Sequence, residues 1–283
     1  MSKITKEEWK RELIYYQKSV AWIAPDGVKY SLWSKVPHQD KNGELIMVDN
    51  DKMADIYYSY MSENTPKLLK KPSKLVKMIK KFGRDTALLL VDTQKGVNDT
   101  AYYGGENGRR NNLGAEKNII CLLETWREAS WQIAFTKHNS REEHSPLKVD
   151  LPSGQQLEGM IPGSGDIVIQ KDVNSGFIGT SLELDLRRAK IQRLVIVGFF
   201  TNVCIETTVR MSGNMGFDTY LVHDACAAMN AIGHDGTDYD PDTVHNMAIA
   251  NLHGEFCTAI TKKDALALCK GDCKYLNRVQ GNE

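Results

Sequence analysis

Three residues of different chemistry follow apolar runs in this chain. Asp92 comes after Ala87-Leu-Leu-Leu-Val91, Lys171 after Asp166-Ile-Val-Ile-Gln170, and Cys204 a short turn beyond Arg193-Leu-Val-Ile-Val197. A free thiol with a pKa of about 8.5 is only a few per cent thiolate at neutral pH. A carboxylate can take its proton, and a lysine ammonium favours the anion that results. A helix opening near Cys204 would add the positive potential of its N-terminus. Backbone N–H groups of the turn at residues 199–204 can form an oxyanion hole. Together these groups support attack by sulfur on a carbonyl. Each residue alone also has a plain structural reading: Asp92 as a strand end or turn cap, Lys171 as a solvated lysine, Cys204 as a small buried hydrophobe. Their shared position is what points to one site.

Such residues meet only if strands carry them to the same edge. Residues 87–91, 132–136, 166–170, 193–197, 218–222 and 256–260 are short apolar runs of the kind that form buried strands. Helical patterns lie between them. Ile119, Leu122, Leu123 and Trp126 share one helical face. Residues 181–189 and 263–269 predict short helices. Residues 204–215 predict a longer one that stops at Gly216. Asp240 followed by Pro241 is an N-cap with proline at the first helical position, opening a helix to His253. Residues 103–113, rich in glycine and asparagine, predict a loop. Strand–helix alternation favours parallel pairing with right-handed crossovers. The expected fold is α/β, a doubly wound six-stranded parallel sheet with helices on both faces. Ligands of such sheets bind beyond the carboxyl ends of the strands, where all three residues lie.

The chain has 283 residues, 41% hydrophobic and 25% charged, an ordinary globular composition. Its 36 basic and 36 acidic residues cancel, which argues against a general nucleic-acid binder and against a disordered acidic chain. No apolar run approaches the roughly 20 residues of a membrane span, and the amino-terminal residues show no secretory signal pattern. The expected location is the cytoplasm, with no membrane and no nucleic-acid partner. Most of the six cysteines are then expected to be reduced. Cys269 and Cys273 would share a helical face, but no second pair completes a metal site. Residues 1–83 differ in texture and read as an N-terminal extension to a domain at 84–283. Its aromatic segment at 22–33 fits a lid, an oligomer contact or a small added domain. Its basic segment at 67–84 carries Leu75, Val76, Ile79 and Phe82 on one face, an amphipathic helix that would dock on the domain with its lysines in water, the alternative being a role at an anionic surface.

The segments around these residues make the chain similar to the isochorismatase-like cysteine hydrolases, which include nicotinamidases and N-carbamoylsarcosine, ureidoacrylate and biuret amidohydrolases. The matching pieces are Ala87-Leu-Leu-Leu-Val-Asp-Thr-Gln94, Gly108-Arg-Arg-Asn-Asn112, Val168-Ile-Gln-Lys-Asp-Val-Asn-Ser-Gly-Phe177 and Val197-Gly-Phe-Phe-Thr-Asn-Val-Cys-Ile-Glu-Thr-Thr-Val-Arg210. Gly213-Asn-Met-Gly-Phe-Asp218 and Leu252-His-Gly-Glu-Phe256 fit as well. The resemblance spans about residues 85–268 and implies an isochorismatase-like, Rossmann-type fold. It implies a triad in which Asp92 deprotonates Cys204 and later protonates the leaving amine. Lys171 would stabilise the thiolate, and Cys204 would form an acyl-enzyme with an amide or ureide. It also implies a cis peptide at Phe199–Phe200, an oxyanion hole from the backbone N–H groups of Phe200 and Cys204, and a homo-oligomer, dimer or tetramer.

The resemblance has departures. Nicotinamidases bind a divalent metal through an Asp-x-His pair and a later His. Phe135-Thr-Lys-His-Asn139 lacks that pattern, and His138 and His144 have no carboxylate at ligand spacing. No metal and no other cofactor is therefore expected. Lys95 also departs from relatives with Asn or Arg after the Gln. Candidate substrate contacts are Gln94, Arg110, Asn111, Phe177 and Thr201. Gln94 equally fits a loop hydrogen bond, Arg110 a salt bridge to a neighbouring subunit, and Phe177 core packing. The expected activity is C–N hydrolysis of a small amide or ureide. The alternatives are vinyl-ether hydrolysis, which does not need the cysteine, and a binding protein without catalysis.

Overall fold

The computed structural model describes residues 79–272 and four short strands before them. The strands are β1 (Trp22–Ile23) paired antiparallel with β2 (Lys29–Tyr30), and β3 (Val36–Gln39) paired antiparallel with β4 (Leu45–Val48). The chain divides into two units, Met1–Leu75 and Val76–Glu283. Most of the expected amphipathic helix at 67–84 lies outside the described residues, as does Cys273. Residues 79–85, which are described, form no helix.

The second unit runs β5 (Thr86–Val91), α1 (Thr100–Gly104), α2 (Ala115–Glu128), β6 (Ile133–His138), β7 (Ile167–Lys171), α3 (Leu182–Arg188) and β8 (Arg193–Phe199). It continues through α4 (Glu206–Asn214), β9 (Asp218–Ala227), β10 (Ala231–Ile232), β11 (Asp238–Tyr239), α5 (Pro241–Leu252), β12 (Thr258–Ile260) and α6 (Lys262–Lys270). The main sheet is six-stranded, in the order β12-β9-β8-β5-β6-β7, with every neighbouring pair parallel. The chain steps outward from β5 through β6 and β7, then returns to the other side of β5 with β8. The doubly wound expectation holds, and the order reverses between β5 and β8. A crevice opens at such a switch point, because the connections leave the two strands on opposite faces.

Successive strand residues point to opposite faces, and this alternation builds two cores. Leu88, Leu90, Ile133, Phe135, Val195, Val197 and Tyr220 pack on the α2 and α6 side with Ile119, Trp126 and Leu268. Ala87, Leu89, Val91, Ala134, Leu194, Ile196 and Leu221 pack on the other side with Leu186 of α3, Val209 of α4 and Leu252 of α5. All of β5 is buried, as a central strand covered on both faces must be. Phe82, just before β5, is also in the first core, edge-on to Tyr220 and against Trp126.

Local signals set several boundaries. Asp240 accepts from the N–H groups of Asp242 and Thr243 and opens α5. Thr261 and Asp264 cap α6 reciprocally. A short helix not expected from the sequence, α1, runs into the start of the loop expected at 103–113, because Asp99 accepts from the Tyr102 N–H and caps a helical turn. The helix expected at 204–215 begins instead with a wide π-type turn, Thr201–Ile205, and α4 follows at Glu206. Strand β9 runs past residue 222 to Ala227, taking in His223. The Phe199–Phe200 peptide is cis.

Candidate active site

Asp92 follows β5 directly, 1% exposed, with a left-handed φ of 52° that a short polar side chain tolerates. Thr136 of β6 holds it: the threonine hydroxyl donates to Asp92 Oδ1 at 2.6 Å, and the Asp92 N–H donates to the Thr136 carbonyl at 3.2 Å. Asp92 Oδ2 lies 2.7 Å from Lys171 Nζ, yet it has no aligned hydrogen-bond donor among the described residues. That oxygen is the one open to a further proton.

Lys171 ends β7 and is 3% exposed. Besides Asp92, its ammonium meets His138 Nδ1 at 2.8 Å, the Val173 carbonyl at 3.1 Å and Cys204 Sγ at 3.5 Å. His138 ends β6. Burial lowers its pKa, and the Lys171 charge lowers it further, against the opposing pull of Asp92. The imidazole is therefore neutral at pH 7. Since an ammonium only donates, Nδ1 is the acceptor and the ring proton sits on Nε2.

Cys204 lies in the turn between β8 and α4 and is 7% exposed. Gly198 lets that turn approach Asp92. Its φ is 125°, and a Cβ there would stand 2.1 Å from the Val91 carbonyl oxygen. Burial pushes the Cys204 thiol up, the Asp92 charge adds to this, and Lys171 opposes it. The net direction favours the neutral thiol.

Asp92, His138 and Cys204 face a cavity of about 260 Å³, lined also by Val97, Tyr102, Tyr103, Ser140, Glu142, Ser145, Leu147, Asn174, Phe199, Phe200 and Val203. Of the residues singled out in the sequence, Asp92, Cys204 and Phe200 line it; Lys171 is not a lining residue but contacts Asp92 and Cys204, which are. Gln94, Arg110, Asn111, Phe177 and Thr201 are not among its lining residues. Gln94 is fully buried and clamps β6: it accepts from the His138 N–H at 2.7 Å and donates to the His138 carbonyl at 2.9 Å and the Gly154 carbonyl at 3.1 Å. Arg110 is paired with Glu116 at 2.7 Å and Asn98 at 2.7 Å, over the Phe199 ring. Asn111 accepts from the Ala228 N–H and donates to Asp242. Phe177 stacks on Phe217 in the second core. Thr201 is hydrogen-bonded to His245 at 2.8 Å. Sequence reasoning did not find Tyr102, Tyr103 or Glu142. The Asp99 cap was the only local signal for the first two, and nothing in the chain near Glu142 marks it.

His138 was expected to lack a nearby carboxylate. Folding supplies Asp92, whose Oδ2 lies 3.9 Å from Nδ1. Asp92, His138 and Cys204 offer three ligand atoms within 4.8 Å of one another. The set nevertheless does not fit a metal ion, because the Lys171 ammonium already contacts all three and would repel a second cation. His144 is exposed and does not line the cavity.

A buried Asp–Lys–Cys cluster at the switch point of a doubly wound sheet defines an α/β protein with its site at the carboxyl edge. Comparison with known proteins then places the chain. Residues 86–264 match the family model described as Isochorismatase domain, and the chain belongs to the isochorismatase family. It is 43% identical over 175 residues to the uncharacterised isochorismatase family protein YrdC of Bacillus subtilis (strain 168), covering 62% of this chain and 91% of that protein. A crystal structure of an isochorismatase-family protein from Chromobacterium violaceum aligns with a TM-score of 0.62 and 36% identity, over 67% of this chain and 96% of the other. Nicotinamidase 3 of Arabidopsis thaliana is 28% identical over 134 residues, 42% of this chain and 67% of that protein.

Proposed function

We propose that the protein is a cysteine hydrolase that cleaves a C–N bond of a small amide or ureide through an acyl-enzyme. The observation that carries this reading is Cys204 Sγ on the cavity wall, 3.5 Å from Lys171 Nζ and within 4.8 Å of a carboxylate oxygen of Asp92, which is itself paired with Lys171 at 2.7 Å. Asp92 takes the Cys204 proton, and the thiolate adds to the carbonyl carbon. The backbone N–H groups of Phe200 and Cys204 receive the oxyanion. Collapse breaks the C–N bond, and Asp92 returns the proton to the departing nitrogen. Water, deprotonated by Asp92, then attacks the thioester; the acid leaves and Cys204 regains its proton. Lys171 stays charged and stabilises the thiolate. A similarity to a nicotinamidase, itself named for an amide, supports the bond type.

The reading extends to a cytoplasmic protein working as a homo-oligomer. Five free cysteines among the described residues suit a reducing compartment, and no helix there is long and apolar enough to cross a membrane.

The test is ammonia release from a panel of small amides, ureides and carbamoyl compounds. Wild type should release ammonia from at least one of them, and Cys204→Ala should lose that activity while keeping its Tm. Full activity in Cys204→Ala would reject covalent catalysis. Inactivation by thiol alkylation at Cys204 separates this reading from ether hydrolysis, which would be indifferent to it.

A further inference from the structure

We infer that the site selects a substrate whose part remote from the scissile carbonyl is uncharged or cationic and carries N–H donors, with Glu142 as the residue that recognises it. This rests on the reading of Cys204 as the nucleophile and concerns what that nucleophile meets. A cation is the strongest partner for an anionic substrate, and arginine is the usual choice because its planar fork matches a carboxylate. Among the described residues lining the cavity there is no lysine and no arginine. Five cations of the described residues are engaged elsewhere. Lys171 is held by Asp92, His138 and Val173. Arg110 is paired with Glu116, Arg109 with Asp238, and Arg141 with Asp172. Lys148 donates to the Ser140 carbonyl.

The charge the cavity does present, beyond the Asp92–Lys171 pair, is the Glu142 carboxylate. The Tyr102 hydroxyl donates to Glu142 Oε2. That hydrogen bond is also the main reason the Tyr102 phenol is pushed up, so the phenol stays protonated and keeps donating. A carboxylate has about four acceptor directions, so Glu142 keeps room for a ligand N–H. Apart from Glu142 the outer wall is apolar or neutral: Val97, Leu147, Phe200 and Val203 beside Ser140 and Ser145. A carboxylate tail would enter with no counter-charge and face Glu142. An amine, guanidine or carbamoyl tail would meet an acceptor.

The experiment needs no known substrate. Full-length protein is treated at low ionic strength with methanethiosulfonates bearing an ethylammonium, a methyl or an ethylsulfonate group. Each transfers its thioalkyl group to the thiolate, forming a mixed disulfide and releasing methanesulfinate. Rates at Cys204 are read by mass spectrometry and divided by the rates for 2-mercaptoethanol, with Cys204→Ala as the control. The ammonium reagent should lead the sulfonate by about tenfold or more after that normalisation, within the range that local fields produce. Glu142→Gln should cut the ratio several-fold, and Glu142→Lys should reverse it. A sulfonate that reacts as fast as the ammonium, or a ratio unchanged in Glu142→Gln, overturns the proposal and leaves the nucleophile reading standing. No labelling of Cys204 by any reagent overturns both.

Discussion

At the residue scale the site turns on how one ammonium is shared. Lys171 donates to a neutral imidazole and a carbonyl, pairs as an ion with the Asp92 carboxylate, and its field reaches the sulfur. Asp92→Asn keeps the shape but removes the base, so activity should fall by about a hundredfold or more, measured as turnover of whichever amide the wild type accepts. His138 is the less obvious member. His138→Ala removes an acceptor from a buried cation, which costs about 2 kcal/mol or roughly thirtyfold in kcat/KM. Glutamine keeps an acceptor and cannot titrate. Because the pKa of His138 is lowered, the wild-type ring is neutral at pH 7 and gains a proton only as pH falls, placing a second cation beside Lys171. His138→Gln should therefore retain more activity than His138→Ala, and its acid limb should lie at lower pH. An identical acid limb in wild type and His138→Gln would show that His138 does not contribute to it.

At the scale of elements, two devices bring the turn that carries Cys204 to Asp92. One is Gly198, where β8 passes close to the end of β5. Gly198→Ala forces a Cβ into the Val91 carbonyl. The expected loss is about 2 kcal/mol or more, a Tm lower by roughly 4–8 °C, with activity falling further than stability explains. The other is α5, whose His245 is hydrogen-bonded to Thr201 at the start of the turn. Burial pushes His245 down to about 4, and His223 adds to the shift. A histidine kept neutral in the fold but free to protonate when unfolded binds more protons in the unfolded state between those two pKa values. Its contribution is thus complete above about pH 6.5 and is lost as pH falls toward 4. Denaturant melts of wild type and His245→Gln at several pH values would test this: the mutant should lose less stability across that window.

At the scale of the molecule, the two cores explain why the sheet can be covered on both faces and still leave one edge open. Phe82 joins the first core although it precedes β5 and lies outside the matched domain at 86–264. Phe82→Ala in the full chain should cost about 3 kcal/mol and lower Tm by roughly 6–12 °C in a thermal melt. An unchanged Tm would mean that this ring is dispensable to the core. Helix α1 acts at the same scale, carrying Tyr102 and Tyr103 from beyond β5 to the cavity wall. From there Tyr102 reaches Glu142, which follows β6.

The sequence by itself determined the sheet and the succession of strands and helices along the chain, because continuous apolar runs mark strands covered on both faces and a period of 3.6 marks the buried face of a helix. It also marked Asp92, Lys171 and Cys204 as candidates, since a residue at a strand end projects to a known edge once the strands are parallel. Side-chain pairing was not legible there. Whether Arg110 meets a ligand or Glu116, and whether Gln94 touches substrate or clamps His138, depends on which groups lie within about 3 Å. That is decided by packing between segments far apart in the chain. The charge of the cavity was hidden for the same reason. It follows from which side chains line the cavity and from the pairings of Lys171, Arg110 and Arg141, and only the tertiary structure makes those.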